Sequence, residues 1–345
     1  MIGKGQPSFI IAEISANHNQ DFEMASKMIK VFAEAGADAI KLQTYIPDDL
    51  TIDCDKDYFK IPKENQFTGP KTLYELYQGS HMPWEFQSRL KKIADKIGVF
   101  LFSTPLSPNG VNFLENEVHV GAYKNASFEI TYGDLLKSMA KTGKPVVISN
   151  GGASVREIAE AVEILEQNGC SQLLILQCSS SYPSLPEHAH LSNMKVMSEI
   201  FGVPVGLSDH TEGIGVSVAA VALGACAIEK HVTLNKHDKG PDHRFSMEPD
   251  EFRLMVKSIR EAEEAVSCGV SFEVTSGPAM ENKAQFSRSV YVVKDIKEDD
   301  KLTRNNLRVI RPGNGLHPRE FEYVLGMRVN RFVSRGTPMS WDLIK

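Results

Sequence analysis

The sequence alternates short apolar runs of strand length with longer stretches of helical periodicity from residue 9 to residue 267. This alternation is typical of parallel strands joined by crossover helices. The predicted strands are residues 9–13, 39–43, 99–103, 122–124, 146–149, 173–177, 203–206 and 227–231. The predicted helices are residues 23–35, 83–96, 135–142, 155–167, 194–201, 214–223 and 249–267. Eight regular units over about 260 residues predict an α/β fold of the (β/α)8 TIM-barrel type rather than a doubly wound sheet.

One connection of the predicted barrel is much longer than the others. About forty residues separate Gln43 from Pro83, whereas a barrel loop usually needs only a few. Long loops of this kind commonly act as lids or binding loops. We therefore predict that residues 44–82 form a substrate-facing insertion.

The alternation ends near residue 271, and the pattern changes after it. We predict a catalytic barrel domain over residues 1–270, a linker over 271–286 and a small domain over 287–345. The small domain has short β-like runs at 289–293, 307–310 and 331–333 and a predicted helix at 318–324. A segment of about 60 residues has little core of its own, so we expect it to dock on another surface.

Composition and charge exclude several classes of protein. The 345-residue chain has a formal charge of −6 and no basic stripe, which argues against a nucleic-acid partner. No apolar run approaches the roughly 20 residues of a membrane span. Residues 1–7 lack the layout of a signal peptide, so we expect a cytoplasmic protein without a membrane partner. The five cysteines show no C-x-x-C spacing, which disfavours a disulfide framework or a zinc ribbon.

Polar residues close nearly every predicted strand. Because the C-terminal strand ends of a TIM barrel form its active site, we expect these residues to share one site. The set is Glu13, Asn17, His18, Asn19, Lys41, Gln43, Thr44, Ser103, Thr104, Lys124, Ser127, Glu129, Ser149, Asn150, Ser179, Ser180, Ser181, Tyr182, Ser208, Asp209, His210, Lys230, His231 and Asp242. Any single serine or threonine of this set is as well suited to cap a helix.

Two lysines and two histidines of this set give the strongest chemical signal. Lys41 lies in an otherwise apolar strand, where a lysine is rarely placed for stability. With Lys124 and the neighbouring hydroxyls, it predicts a site for phosphate or carboxylate. His210 and His231 end successive strands and predict a shared divalent metal, with manganese, iron and zinc left open. Glu13 is then a candidate base or proton shuttle.

These strand ends carry motifs that resemble the sialic acid (nonulosonate) synthase family over essentially the whole chain. The motifs are IAE at 11–13, NHN at 17–19, GADAIKLQT at 36–44, FSTP at 102–105, GLSDHT at 206–211, EKH at 229–231, GPD at 240–242 and RPGNG at 311–315. The resemblance implies condensation of phosphoenolpyruvate with an N-acetylated amino sugar and release of phosphate. It also implies that residues 287–345 form an antifreeze-like (SAF) domain, which in the family covers the partner's barrel in a domain-swapped homodimer.

The resemblance further implies a role for each site residue. His210 and His231 would bind a divalent metal, usually Mn2+, with Mg2+ or Co2+ as alternatives, and Glu13 would assist the chemistry there. The phosphoenolpyruvate ligands would be Lys41, Thr104, Lys124, Ser127, Ser149 and Ser208. The sugar ligands would be Gln43, Glu129, Tyr182 and Asp242, and Arg311 would enter from the other subunit.

Within the family, four runs are similar to the pseudaminic acid synthase branch: ISANHN at 14–19, QTYIPD at 43–48, TLYELY at 72–77 and SFEIT at 127–131. The run GPDHRF at 240–245 is more similar to the neuraminate and legionaminate branches, and Ser180 stands where N-acetylneuraminate synthases commonly carry Asn. Because loops set sugar choice, the expected sugar is 2,4-diacetamido-2,4,6-trideoxy-altrose and the expected product pseudaminic acid.

Three alternatives stay open. N-acetylmannosamine or a related acetamido sugar would give N-acetylneuraminate or legionaminate instead. A Schiff-base aldolase would use Lys41 or Lys124 as its nucleophile. A non-catalytic carbohydrate-binding protein is the third possibility, because the small domain resembles a module of antifreeze proteins.

Overall fold

The computed structural model describes residues 2–3, 5–61, 70–270 and 277–345. Its contacts divide the chain into two compact units, Met1–Ser267 and Cys268–Lys345. Residues 62–69 of the predicted insertion and residues 271–276 of the predicted linker lie outside the described residues.

Eight parallel strands of the first unit close into a barrel, which confirms the predicted TIM-barrel fold. The strands are β1 (Phe9–Glu13), β2 (Ala39–Thr44), β3 (Phe100–Pro105), β4 (Tyr123–Asn125), β5 (Val146–Ser149), β6 (Leu173–Cys178), β7 (Val205–Asp209) and β8 (Ala227–His231). The seventh strand begins two residues later than predicted. Pro204 directly precedes it, and proline has no N–H to donate to a strand ladder.

Ten helices of the described chain belong to the barrel unit. They are α1 (Phe22–Glu34), α2 (Pro47–Leu50), α3 (Leu73–Ser80), α4 (Trp84–Ile97), α5 (Pro108–Phe113), α6 (Gly133–Ala140), α7 (Val155–Gln167), α8 (Asn193–Phe201), α9 (Gly215–Ala222) and α10 (Pro249–Ser267). Helices α2 and α3 lie in the predicted insertion. In the described part of the chain, no helix combines the length and the apolar composition that crossing a membrane requires.

Barrel closure runs through β1, which pairs with β2 on one side and with β8 on the other. In these ladders Glu13 is the partner of Lys41 and also of His231. Three residues of different chemistry therefore lie at one level around the barrel. Their common level is set by backbone hydrogen bonds, not by loop conformation.

Side chains alternate between the barrel interior and the helix-facing side, because successive residues of a strand point to opposite faces. Ile11, Phe102 and Leu176 belong to a compact apolar cluster inside the barrel. Their strand neighbours, such as Ile10 and Leu101, belong to the larger core beneath the helices. Residues two positions after the inner cluster therefore face the C-terminal opening of the barrel.

The prediction that Asp209 and Lys230 belong to the strand-end site is wrong. Their side chains are buried on the helix-facing side, where Lys230 Nζ lies 2.9 Å from Asp209 Oδ2. Asp209 also accepts a hydrogen bond from Ser217 Oγ at 2.6 Å, on helix α9. Because Ser208 lines the barrel opening, its strand neighbour Asp209 must point outward.

Three more polar residues of the predicted set have structural partners and do not line the barrel opening. Thr44 Oγ1 donates to Gln87 Oε1 at 2.7 Å and lies 2.6 Å from Ser103 Oγ. Asn150 Nδ2 donates to Gln177 Oε1 at 3.0 Å. These bonds satisfy buried polar groups beneath the helices, so the residues support the fold.

The second unit contains helix α11 (Pro278–Phe286), the antiparallel strands β9 (Ser289–Val292) and β10 (Leu307–Ile310), and helix α12 (Phe321–Val324). Helix α11 occupies the second half of the predicted linker. The predicted helix at 318–324 is confirmed as a 3-10 turn, Pro318–Glu320, that continues into α12. The predicted run 331–333 contributes only an isolated bridge from Val333 to Ile296.

We expect Lys230→Met to destabilise the barrel strongly, because it leaves Asp209 buried without its counter-charge. The free energy of unfolding should fall by about 3–5 kcal/mol. Urea denaturation followed by circular dichroism measures the change. Arg156→Met is the matched control, because it removes an exposed partner of Glu160 and should leave the midpoint nearly unchanged. Equal effects of the two substitutions would contradict the structural role of the buried pair.

Candidate active site

A cavity of about 300 Å³ opens at the C-terminal ends of the barrel strands. Every residue of the barrel unit that the family resemblance implicates lines it: Glu13, Lys41, Gln43, Thr104, Lys124, Ser127, Glu129, Ser149, Tyr182, Ser208, His210, His231 and Asp242. Arg311 belongs to the second unit, where its guanidinium lies 5.8 Å from the centre of the Phe286 ring.

The ammonium group of Lys41 contacts three side chains inside the cavity. Its Nζ lies 2.6 Å from Glu13 Oε2 and 3.7 Å from Glu229 Oε1, and it donates to Thr104 Oγ1 at 3.0 Å. Burial alone would lower the pKa of Lys41, but the two carboxylates raise it above its usual value. Lys41 is therefore a buried, permanently charged group.

Lys124 is a second buried ammonium, and its protein partners are neutral. Its Nζ donates to Ser149 Oγ at 2.6 Å and to the carbonyl of Asn125 at 2.8 Å. Among the described residues, no carboxylate forms an ion pair with it. Burial lowers the pKa of Lys124, and the charge of Glu229 offsets this only in part. An anionic ligand would supply the missing negative charge.

Glu229 lines the cavity but is not among the site residues predicted from the sequence. Its Oε1 accepts from Ser208 Oγ at 3.1 Å, and its buried Oε2 has no hydrogen-bond donor among the described residues. Burial would raise the pKa of Glu229, but Lys41 and Lys124 lower it, so the carboxylate is ionised. The sequence carries one signal for Glu229. It lies two residues before His231 in the same predicted strand, and alternate residues of a strand share a face.

Glu13 contacts both Gln43 and Lys41 inside the cavity. Its Oε1 accepts from Gln43 Nε2 at 3.1 Å, and its Oε2 faces Lys41. Burial raises the pKa of Glu13 to about 7, because it outweighs the attraction of Lys41. A carboxyl group with this pKa both accepts and donates protons at neutral pH.

Gln43 connects Glu13, through Ser15, to Asp242. Its Nε2 also donates to Ser15 Oγ at 3.0 Å, and Ser15 in turn donates to Asp242 Oδ2. Burial raises the pKa of Asp242, and the hydrogen bond from Ser15 counteracts the rise in part. Ser15, absent from the predicted set, therefore holds the Asp242 carboxylate in place.

The two predicted metal ligands lie side by side. The ring centroids of His210 and His231 are 5.1 Å apart, and the Tyr182 ring lies 4.1 Å from His210. Phe245 packs 5.2 Å from His231 and 5.3 Å from Tyr182, so the two imidazoles and the two aromatic rings form one cluster.

The donor set of the imidazoles suits a divalent metal. His210 Nδ1 lies 2.9 Å from the Ser179 carbonyl, so Nδ1–H donates to it, and in the neutral ring Nε2 carries the lone pair that a metal needs. His231 Nδ1 is buried without a hydrogen-bond partner among the described residues. Across the described ranges, no group of three or more His, Cys, Asp or Glu side chains has metal-binding geometry. Two imidazoles would therefore leave the remaining coordination positions to water or substrate.

The NHN run beside the cavity has structural partners. Asn17 Nδ2 donates to the Val232 carbonyl and to Ser246 Oγ, each at 2.8 Å. His18 Nδ1 accepts from the Gln20 backbone N–H at 2.9 Å, and burial lowers the pKa of His18 to about 4. These residues do not line the cavity, so their predicted place in the site is wrong.

Known proteins match this chain over nearly its whole length. The model of the NeuB family matches residues 28–271, and that of the SAF domain matches residues 287–345. The chain is 38% identical over 340 residues to the pseudaminic acid synthase of Helicobacter pylori, covering 99% of this chain and 98% of that protein. It is 33% identical over 348 residues to the N,N'-diacetyllegionaminic acid synthase of Legionella pneumophila, covering 99% and 96%.

A solved structure also matches this chain in fold. The N-acetylneuraminic acid (sialic acid) synthetase of Leptospira borgpetersenii, crystallised in complex with citrate, superposes with a TM-score of 0.69. It is 31% identical, and the match covers 82% of this chain and 92% of the other.

Proposed function

Because the chain belongs to the NeuB family and is a nonulosonic acid synthase, we propose that it condenses phosphoenolpyruvate with 2,4-diacetamido-2,4,6-trideoxy-altrose and water. The products are pseudaminic acid and phosphate. Identity of 38% to a pseudaminic acid synthase, against 33% to a legionaminic acid synthase, supports this sugar. The alternative is N-acetylneuraminate or legionaminate synthesis from N-acetylmannosamine or a related acetamido sugar.

One observation carries the proposal: two buried ammonium groups and two adjacent imidazoles line a single cavity. Phosphoenolpyruvate carries a phosphate and a carboxylate, which two separate ammonium groups can contact. Lys124 has only neutral partners in the described part of the chain, so it suits the phosphate, with Ser127, Ser149 and Ser208 as hydroxyl donors. Lys41, with Thr104 beside it, suits the carboxylate.

The sugar is assigned to the side of the cavity that Gln43, Glu129, Tyr182 and Asp242 line. These side chains provide carboxylates and an amide for the hydroxyl and acetamido groups of the open-chain sugar. Glu13 lies between the sugar side and Lys41, so it is next to both reactants. Holding two substrates in one orientation favours their reaction.

The proposed reaction joins C3 of phosphoenolpyruvate to the aldehyde carbon of the sugar. The aldehyde oxygen then needs a proton, and a water molecule loses one when it adds to C2. Glu13, whose pKa is about 7, is suited to take the proton from water and return it to the sugar oxygen. The C2 intermediate then loses phosphate by C–O cleavage. The two lysines stabilise the negative charge, and the product is a nine-carbon 2-keto acid.

His210 and His231 would hold a divalent metal, with Mn2+ proposed and Mg2+ or Co2+ as alternatives. Such an ion supplies Lewis-acid polarisation of the sugar aldehyde when it is bound. The Ser179 carbonyl orients His210, and Tyr182 and Phe245 keep the imidazoles in a closed, partly aromatic environment.

Product analysis tests the proposed reaction directly. Purified enzyme should release phosphate with 2,4-diacetamido-2,4,6-trideoxy-altrose, and mass spectrometry should show the corresponding nine-carbon acid. We expect kcat/KM for this sugar to exceed that for N-acetylmannosamine by at least about tenfold. Oxygen-18 in the bridging position of phosphoenolpyruvate should leave with phosphate. Retention of the label in the sugar acid would contradict C–O cleavage, and preference for N-acetylmannosamine would replace the proposed sugar.

Metal removal tests the role of the two histidines. We expect His210→Ala and His231→Ala to lower kcat by about a thousandfold or more while circular dichroism stays unchanged, because Lewis-acid stabilisation is lost. His188→Ala, at an exposed histidine outside the cavity, is the control. Chelator should inactivate the wild-type enzyme, and Mn2+ should restore it. Chelator-resistant activity with borohydride trapping of Lys124 or Lys41 would instead support a Schiff-base mechanism.

We further propose a domain-swapped homodimer in which Arg311 of the SAF domain enters the partner's active site. The family membership and the exposed position of Arg311 support this arrangement. Arg311→Ala and His210→Ala chains, each inactive alone, should regain partial activity when mixed as heterodimers. Failure of a confirmed heterodimer to regain activity would favour a site built from one chain.

A further inference from the structure

The lining of the active-site cavity is not uniform. Charged and polar groups line the part formed by the strand ends, whereas loops after β2, β3 and β4 contribute apolar side chains. These are Leu50 at the end of α2, Leu76 on α3, Leu106 after β3 and Phe128 after β4. We call Leu50, Leu76 and Phe128 the apolar wall.

Packing in the described chain does not explain the apolar wall. Phe128 is 72% exposed although it lines the cavity, so it contributes little to any core. Leu50 and Leu76 are half-buried and come from separate short helices of the insertion. Single exposed apolar residues are common on protein surfaces, but three that converge on a ligand cavity are typical of a binding surface.

Two hydroxyl groups next to the apolar wall, those of Ser80 and Tyr45, already bond within the protein. Ser80 Oγ donates to the Leu76 carbonyl at 2.7 Å, so it accepts from the Tyr45 hydroxyl, which lies 3.1 Å away. The hydrogens of both hydroxyl groups are therefore used within the insertion. A sugar hydroxyl packed against the Leu76 or Phe128 side chain would lose its bonds to water without replacement, whereas a methyl group would be buried favourably there.

One carboxylate, that of Glu129, lies next to the apolar wall. Glu129 directly follows Phe128 and lines the same cavity, and no described residue donates a hydrogen bond to its carboxylate. Tyr77 of α3 lines the same cavity, where burial and the nearby charge of Glu129 raise the pKa of its hydroxyl. An acetamido group offers an N–H for a carboxylate and a methyl for an apolar surface.

We propose that the apolar wall, with Glu129 at its edge, determines sugar specificity by recognising methyl and acetamido groups at the end of the sugar remote from the aldehyde. The preferred class is a deoxy sugar with a second acetamido group, and a polyhydroxylated end is disfavoured. This inference rests on the proposed function, because it assigns the remote end of the sugar to this part of the cavity.

The test compares 2,4-diacetamido-2,4,6-trideoxy-altrose with N-acetylmannosamine in wild-type enzyme and in Leu76→Asn and Phe128→Ala variants. We expect each variant to raise KM for the diacetamido sugar by about tenfold, with kcat within about twofold and KM for phosphoenolpyruvate unchanged. The preference for the diacetamido sugar over N-acetylmannosamine should fall by a similar factor. Ile52→Asn is the control, because Ile52 is 58% exposed in the same insertion and does not line the cavity.

The outcomes separate this inference from the function on which it rests. Equal losses for both sugars, or no change in either variant, would overturn the specificity role while the synthase activity stands. Wild-type enzyme that turns over no acetamido sugar would overturn the proposed function and this inference together. If Leu76→Asn does not fold, Phe128→Ala decides, because removing a largely exposed ring costs the fold little.

Discussion

The register of strand β1 with both of its neighbours is the constraint on which the active site depends. The ladder to β2 places Glu13 beside Lys41, and the ladder to β8 places it beside His231. Lys41 then contacts Thr104 from β3 and Glu229 from β8. Backbone hydrogen bonds therefore position a carboxyl group, a cation and an imidazole beside one another before any ligand arrives. Preorganisation of this kind lowers the cost of stabilising charge during a reaction.

Buried charged groups are compensated outside the active site but only in part within it. On the helix-facing side, Lys230 and Asp209 form a buried pair whose groups are fully hydrogen-bonded. Inside the cavity, the described partners of Lys124 are all neutral, and Glu229 keeps an oxygen that no described residue donates to. Uncompensated buried groups lower stability, and they commonly mark places where a ligand completes the network. An anion would supply the negative charge that Lys124 lacks, and a ligand hydroxyl or water would supply the donor that Glu229 lacks.

In the proposed function, strand-end residues carry out the reaction and loop residues select the sugar. Strand ends carry the ammonium groups, imidazoles and Glu13, whose positions follow from the barrel. The long insertion after β2 and the segment after β4 carry apolar side chains that reach the same cavity. A barrel of this design can keep one reaction while its loops adapt to different sugars. Relatives that make pseudaminic and legionaminic acids, at 38% and 33% identity, are consistent with that division.

The sequence by itself determined the barrel and most of the cavity, because both rest on local periodicity and on the rule that barrel sites lie at strand ends. The tertiary structure alone decided which strand-end residues face inward. Asp209, Lys230 and Thr44 point toward the helices, whereas Glu229 points into the cavity. A shift of one residue exchanges the two faces of a strand, and pairing between distant segments sets that register. The apolar wall also required the fold, because Leu50 and Leu76 come from two helices of the insertion after β2 and Phe128 comes from the segment after β4.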